Sequence, residues 1–158
     1  MRRTNSQAGF TIIEVMLVTM IIGVLAALVL PSIRVSTARV KMSEALFAFG
    51  TCRNMISELY LSGGDSPGAG NWGCESTVGV PVSVHVDSII TDDDGLIKAS
   101  LRGFNDLRID THDLTLMPLD NTGNRAVAGS IIRRWRCGSV ADGTSVTLMQ
   151  FLPSSCRG

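Results

Sequence analysis

A chain of 158 residues is long enough for one domain with a real core. Its charge is balanced, 14 basic against 14 acidic side chains, which argues against a dedicated nucleic-acid binder. Apolar residues make up 45%, a share inflated by one N-terminal run.

Residues 1–9 form a short polar leader that carries Arg2 and Arg3. Phe10–Leu30 is then apolar for 21 residues, interrupted only by Thr11, Glu14, Thr19 and Gly23. As a helix it spans roughly 30 Å, the thickness of a bilayer's hydrocarbon. The basic leader stays cytoplasmic, which places the rest of the chain outside the cytoplasm. An ordinary secretory signal does not fit, because the run is too long and no A-x-A site closes it. A plain anchor helix does not explain Glu14. An acid costs about 2.5–3.5 kcal/mol at the centre of a membrane helix, and less near its end. No cation lies within one helical turn in the sequence. A cut between Gly9 and Phe10 creates one: an α-amino group four residues before Glu14.

The leader ending in Gly9, the stretch Phe10-Thr11-Ile12-Ile13-Glu14 and the closing Leu-Pro at Pro31 resemble the class III signal of type IV pilins. Cleavage glycine, Phe10, Glu14, mid-run Gly23 and Pro31 all stand where that family places them. The resemblance implies a prepilin peptidase that cuts after Gly9 and N-methylates Phe10. It implies that Glu14 pairs with the Phe10 amine of a neighbouring identical subunit during assembly. Residues 10–31 are then the membrane and filament-core half of a longer helix.

Past Pro31 the apolar positions Val35, Ala38, Met42, Ala45, Leu46, Phe49, Cys52, Ile56 and Leu59 recur every three or four residues, one helical face. A single helix is therefore expected from Phe10 to about Leu61, roughly 75 Å long, with residues 32–61 as its amphipathic half. Pro31 predicts a bend, and Gly23 weakens the same stretch. Gly23–Pro31 is expected to loosen when subunits pack into a fibre.

Ser62–Thr77, SGGDSPGAGNWGCEST, ends the helix and opens a glycine-rich connector over 62–79. It lacks G-K-[ST] and a following helix, so it is not a nucleotide cradle. Residues 80–137 then read as an antiparallel sheet. Val80–Ile90 alternates, with Val82, Val84 and Val86 on one face and Ser83, His85 and Asp87 on the other. Asp92–Gly95 is a turn, and Leu96–Leu101 returns. Leu114–Leu119 and Ser130–Cys137 make a second pair around Asp120–Gly129. The layers predict an α+β fold, one long N-terminal helix packed on a roughly four-stranded antiparallel sheet. This is the pilin fold that the resemblance implies.

Few residues suggest chemistry. The Asp92–Asp94 triplet offers oxygen donors to calcium but lacks the EF-hand loop and its closing Glu, so a solvated turn is the expectation. His85 is expected exposed on a polar strand face, and His112 in a connector. Neither has a nucleophile and orienting acid at recognisable spacing. No catalytic residue, metal or cofactor is assigned. Arg133, Arg134 and Arg136 form the one basic cluster, with Trp135 expected in the core. A solvated strand face is its plain reading and DNA contact by the assembled fibre its functional one.

Cys52, Cys74, Cys137 and Cys156 are four widely spaced cysteines without a CxxC pair. Beyond the cytoplasm they suggest disulfides, and sequence alone leaves all three connectivities open. The stretch from Cys137 to Cys156 resembles the C-terminal D-region of type IVa major pilins, which implies a Cys137–Cys156 bridge closing 137–156 and leaves Cys52–Cys74. The family further implies an inner-membrane precursor of a Gram-negative cell, with lipid, the pilus assembly machinery and identical subunits as partners. Its fibres serve adhesion, twitching motility, biofilm formation and DNA uptake, with host surfaces or DNA as outside partners. A minor pilin or type II secretion pseudopilin shares the N-terminus. A tethered periplasmic binding module that never polymerises is the reading from another class.

Overall fold

The structure is a computed structural model that describes residues 9–77 and 79–157; for residues 30–32 it describes the backbone alone. The leader with Arg2 and Arg3 lies outside the described residues, as does the side chain of Pro31 on which the predicted bend rests. The chain divides into two units, one ending at Val35 and one beginning at Ser36. A helix, α1, is assigned from Ile12 to Ser62 and contributes to both.

In the first unit the apolar side chains of α1 from Ile12 to Val29 stand exposed. In the second unit α1 buries Ala38, Met42, Ala45, Phe49, Cys52, Ile56 and Tyr60. The spacing of three and four keeps these on one face, as expected for an amphipathic helix against a core. Tyr60 belongs to this row although the sequence pattern did not include it. The Ser62 hydroxyl donates to the Leu59 carbonyl at 2.8 Å, and Gly63 follows at φ +71°, a left-handed stop suited to glycine.

Four strands follow: β1 (Val86–Thr91), β2 (Ile97–Leu101), β3 (Asp113–Leu119) and β4 (Arg134–Cys137). They form one antiparallel sheet in the order β1-β2-β3-β4. Two strand expectations need correction. The first strand begins at Val86, not Val80, because Ser83 turns the chain just before it. Its Oγ accepts the backbone N–H of His85 and Val86, and its N–H donates to the Val86 carbonyl. Val82 and Val84 are consequently exposed rather than facing a core. The last strand begins at Arg134, not Ser130, because a turn at Val127–Ser130 precedes it.

The β1–β2 hairpin turns tightly over α1. Asp92 Oδ1 accepts the N–H groups of Asp94 and Leu96. Gly95 has φ +77°, and a Cβ there would stand 2.9 Å from Ile56 Cγ2. β3, an inner strand beside β2, buries almost every residue. Pro118 is tolerated in it because β2 pairs only as far as Leu116, so the missing N–H falls beyond the β2 ladder. Past β4 the chain keeps following β3: Gly138 N–H donates to the Thr115 carbonyl, and Thr115 N–H to the Thr144 hydroxyl. Two short 3-10 turns, Val140–Asp142 and Val146–Leu148, then lead to the buried Leu148, Phe151, Leu152 and Cys156.

Candidate functional site

At the N-terminal end Phe10 is almost fully exposed, and a Cβ on Gly9 would meet nothing within 4 Å. Thr11 and Glu14 close a reciprocal cap at the start of α1. Glu14 N–H donates to Thr11 Oγ1 at 3.4 Å, while the N–H and hydroxyl of Thr11 both reach Glu14 Oε2 at 3.3 Å. This is a capping box, Thr at the cap and Glu at the third helical position. Among the described residues Glu14 makes no ion pair, and the contacts its side chain makes there are those of the cap at the helix start. The adjoining helix is long and apolar enough to cross a membrane. So large an apolar surface requires lipid or other helices around it.

The cysteines pair as Cys52–Cys74 and Cys137–Cys156, with Cα–Cα distances of 5.0 and 4.7 Å. The second bridge closes the C-terminal segment over β3. At its neck Gly138 has φ +72°, and a Cβ would lie 2.7 Å from the Cys156 carbonyl oxygen, so only glycine fits. The first bridge fixes the glycine-rich connector to α1. There Glu75 collects the N–H groups of Trp72, Gly73 and Cys74 at 2.9–3.0 Å, and the Thr91 hydroxyl donates to it. Burial pulls the Glu75 carboxyl up, but the hydrogen bonds from Thr91 and these backbone donors outweigh it and hold the group below the usual carboxylate range. Trp72 stacks on Tyr60, and its indole N–H donates to the Asp92 carbonyl at 2.8 Å.

The acidic turn is engaged by protein groups. Arg125 pairs with Asp92 and Asp94, and Asp93 accepts the Ala69 N–H. His85 is largely buried rather than exposed, a further correction to the sequence reading. Its ring lies 5.1 Å from that of Phe104, and its Nε2 is 3.8 Å from Glu44. The strand end at Val86 turns it inward onto α1. His112 keeps its connector position, its Nδ1 3.2 Å from the Asp110 carbonyl oxygen.

The basic cluster divides. Arg136 is clamped on Asp142, while Arg133 and Arg134 are exposed beside a half-buried Trp135. Trp135 lies at the rim of the core because β4 is the edge of the sheet. Arg53 on α1 joins them around one recess; sequence reasoning missed it, since 80 residues separate it from Arg133 and only the fold brings them together.

A helix long and apolar enough to cross a membrane, with a capped acid at its start, runs on into a helix face packed on a small disulfide-closed sheet. Residues 38–157 match the family described as pilin (bacterial filament), and residues 4–30 match the prokaryotic N-terminal methylation motif. The chain belongs to the type IV pilin family and is a structural fimbrial subunit. It is 33% identical to fimbrial protein EcpC of Eikenella corrodens, over 96% of this chain and 91% of that one. It is 34% identical to a type IV major pilin protein PilE1 of Neisseria gonorrhoeae, over 84% of this chain and 58% of that one. It is also 36% identical to the type II secretion system core protein G of Escherichia coli, over 51% of this chain and 55% of that one.

Proposed function

We propose that this chain is a major subunit of a type IVa pilus, cut after Gly9, N-methylated at Phe10 and polymerised through its N-terminal helix. The observation that carries the reading is Glu14. It is the single acid on an exposed apolar helix end, and among the described residues it is held by Thr11 at the start of the helix. Cleavage places a cationic amine on Phe10, and a neighbour's amine then meets Glu14 as apolar helices come together. An unpaired acid inside that apolar surface is costly, so pairing sets the register and favours docking. Before assembly the helix sits in the inner membrane with the sheet in the periplasm; afterwards it lines the fibre. Prepilin peptidase and the inner-membrane assembly machinery are the partners this route needs. Gly23, where a Cβ would meet nothing, and Pro31 are the places where the helix loosens to fit its neighbours.

Adhesion, twitching motility and biofilm formation are the roles such a fibre supports. The second reading, a minor pilin or pseudopilin, draws on the similarity to type II secretion protein G. The Cys137–Cys156 closure favours a pilus.

Glu14→Val tests the reading. The variant is expected to be cleaved and to reach the membrane, yet to yield few or no fibres. Normal fibre yield would count against the pairing.

A further inference from the structure

Between the C-terminal half of α1 and the outer edge of β4 lies a recess of about 220 Å³. Arg53, Ser57 and Tyr60 line it from the helix, and Arg133, Arg134 and Trp135 from the strand side. Among the described residues Arg53, Arg133 and Arg134 make no ion pair, whereas the adjacent Arg136 is committed to Asp142. The Arg134 guanidinium has room because Gly123 faces it: a Cβ there would lie 2.6 Å from Nη2. Three like charges gathered without a carboxylate call for an anion. Their planar forks suit a carboxylate held by paired hydrogen bonds. Two further depressions of about 440 and 480 Å³ share Trp135 and Arg134, so the recess continues as a groove. Ser155 lines both of these and supplies a hydroxyl.

We propose that this groove binds an acidic polysaccharide, with the carboxylate of one sugar unit held by Arg53, Arg133 and Arg134 and its ring against Trp135. The first recess is smaller than the roughly 300–1,000 Å³ of drug-sized pockets, which fits one sugar unit. Seryl hydroxyls and the edge of β4 suit sugar hydroxyls in the neighbouring units. A nucleic-acid strand fits less well. It needs a long basic track, while this chain is neutral overall and carries one cluster. The ligand class rests on the reading that the chain is displayed at the cell surface, where repetition along a fibre turns weak single sites into firm attachment.

The test uses the full chain solubilised in detergent, so it does not depend on fibre formation. Fluorescence of the two tryptophans is followed while oligogalacturonate, its neutral galactose counterpart or a single-stranded oligonucleotide of equal charge is added. Only oligogalacturonate is expected to give saturable quenching. Arg53→Lys and Arg134→Lys, which keep charge but lose the fork, are each expected to weaken binding about tenfold. Trp135→Phe should remove most of the signal while affinity, read by calorimetry, falls by less. Near-ultraviolet circular dichroism of each variant confirms that it is folded. Equal or tighter binding of the oligonucleotide, binding unchanged in the lysine variants, or no binding of oligogalacturonate would each overturn the assignment. Failure of fibre assembly with oligogalacturonate binding intact would instead count only against the pilus reading.

Discussion

The Arg136 guanidinium donates two hydrogen bonds, 2.7 and 2.6 Å long, to the Asp142 carboxylate. Asp142 is nearly buried, its side chain 3% exposed, while Arg136 remains a third open to solvent. The pair joins β4 to the first 3-10 turn inside the loop closed by Cys137–Cys156, so disulfide and ion pair hold one segment twice. Asp142→Asn strands the guanidinium and should destabilise the domain by about 2 kcal/mol. That is less than the roughly 3–5 kcal/mol of fully buried pairs, because water still reaches Arg136. Urea unfolding of the detergent-solubilised chain measures it, and a loss below about 0.5 kcal/mol would show that the loop is held by the disulfide alone.

Tyr60 is the one tyrosine in the chain, so its ionisation can be followed directly. Its hydroxyl donates toward the carbonyls of Asp94 and Ala126, at 2.9 and 3.2 Å. Burial foremost, with help from Asp94, pushes its pKa up to about 12 from the ordinary value of 10. The folded state thus prefers neutral phenol. That contribution is complete below pH 10 and is lost as pH climbs from about 10 to about 12. Absorbance at the tyrosinate band should titrate near pH 12 in the native chain and near 10 in denaturant. Native titration near 10 would mean that the contact between helix end and hairpin is open.

Glu75 gives the opposite pH dependence. Its carboxyl is partly buried, yet hydrogen bonds from Thr91 and the connector backbone hold its pKa below the model-peptide value of 4.5. The carboxylate therefore stabilises the connector fully above about pH 4.5, and the stabilisation fades as pH falls through the lower folded value. Protection of the Trp72, Gly73 and Cys74 amides, corrected for the slower intrinsic exchange at low pH, should fall on acidification. Glu75→Gln should remove this extra acid response. Unchanged acid response in that variant would assign it to another group.

The helix, the sheet class and the N-terminal methylation motif are legible in the sequence because each has a periodic or positional signature. The face from Ala38 to Ile56 repeats every three to four residues, and Gly9, Phe10 and Glu14 stand in fixed order. The Thr11–Glu14 cap is legible too, since Thr-x-x-Glu before an apolar run is a capping signal. The early strand start at Val80 rests on alternation. Val82 and Val84 alternate correctly, but Ser83 diverts the backbone through local hydrogen bonds that alternation cannot report. The inward turn of His85 and the meeting of Arg53 with Arg133 and Arg134 depend on tertiary packing. Neither leaves a trace in local spacing.

The central claim is polymerisation of this chain as a processed pilin, and the intact mass of surface fibres tests it most directly. Fibres sheared from cells and dissociated should consist mainly of this chain, beginning at an N-methylated Phe10 and retaining both disulfides. Fibres lacking this chain, or a chain that stays in the membrane still bearing Met1–Gly9, would contradict the account.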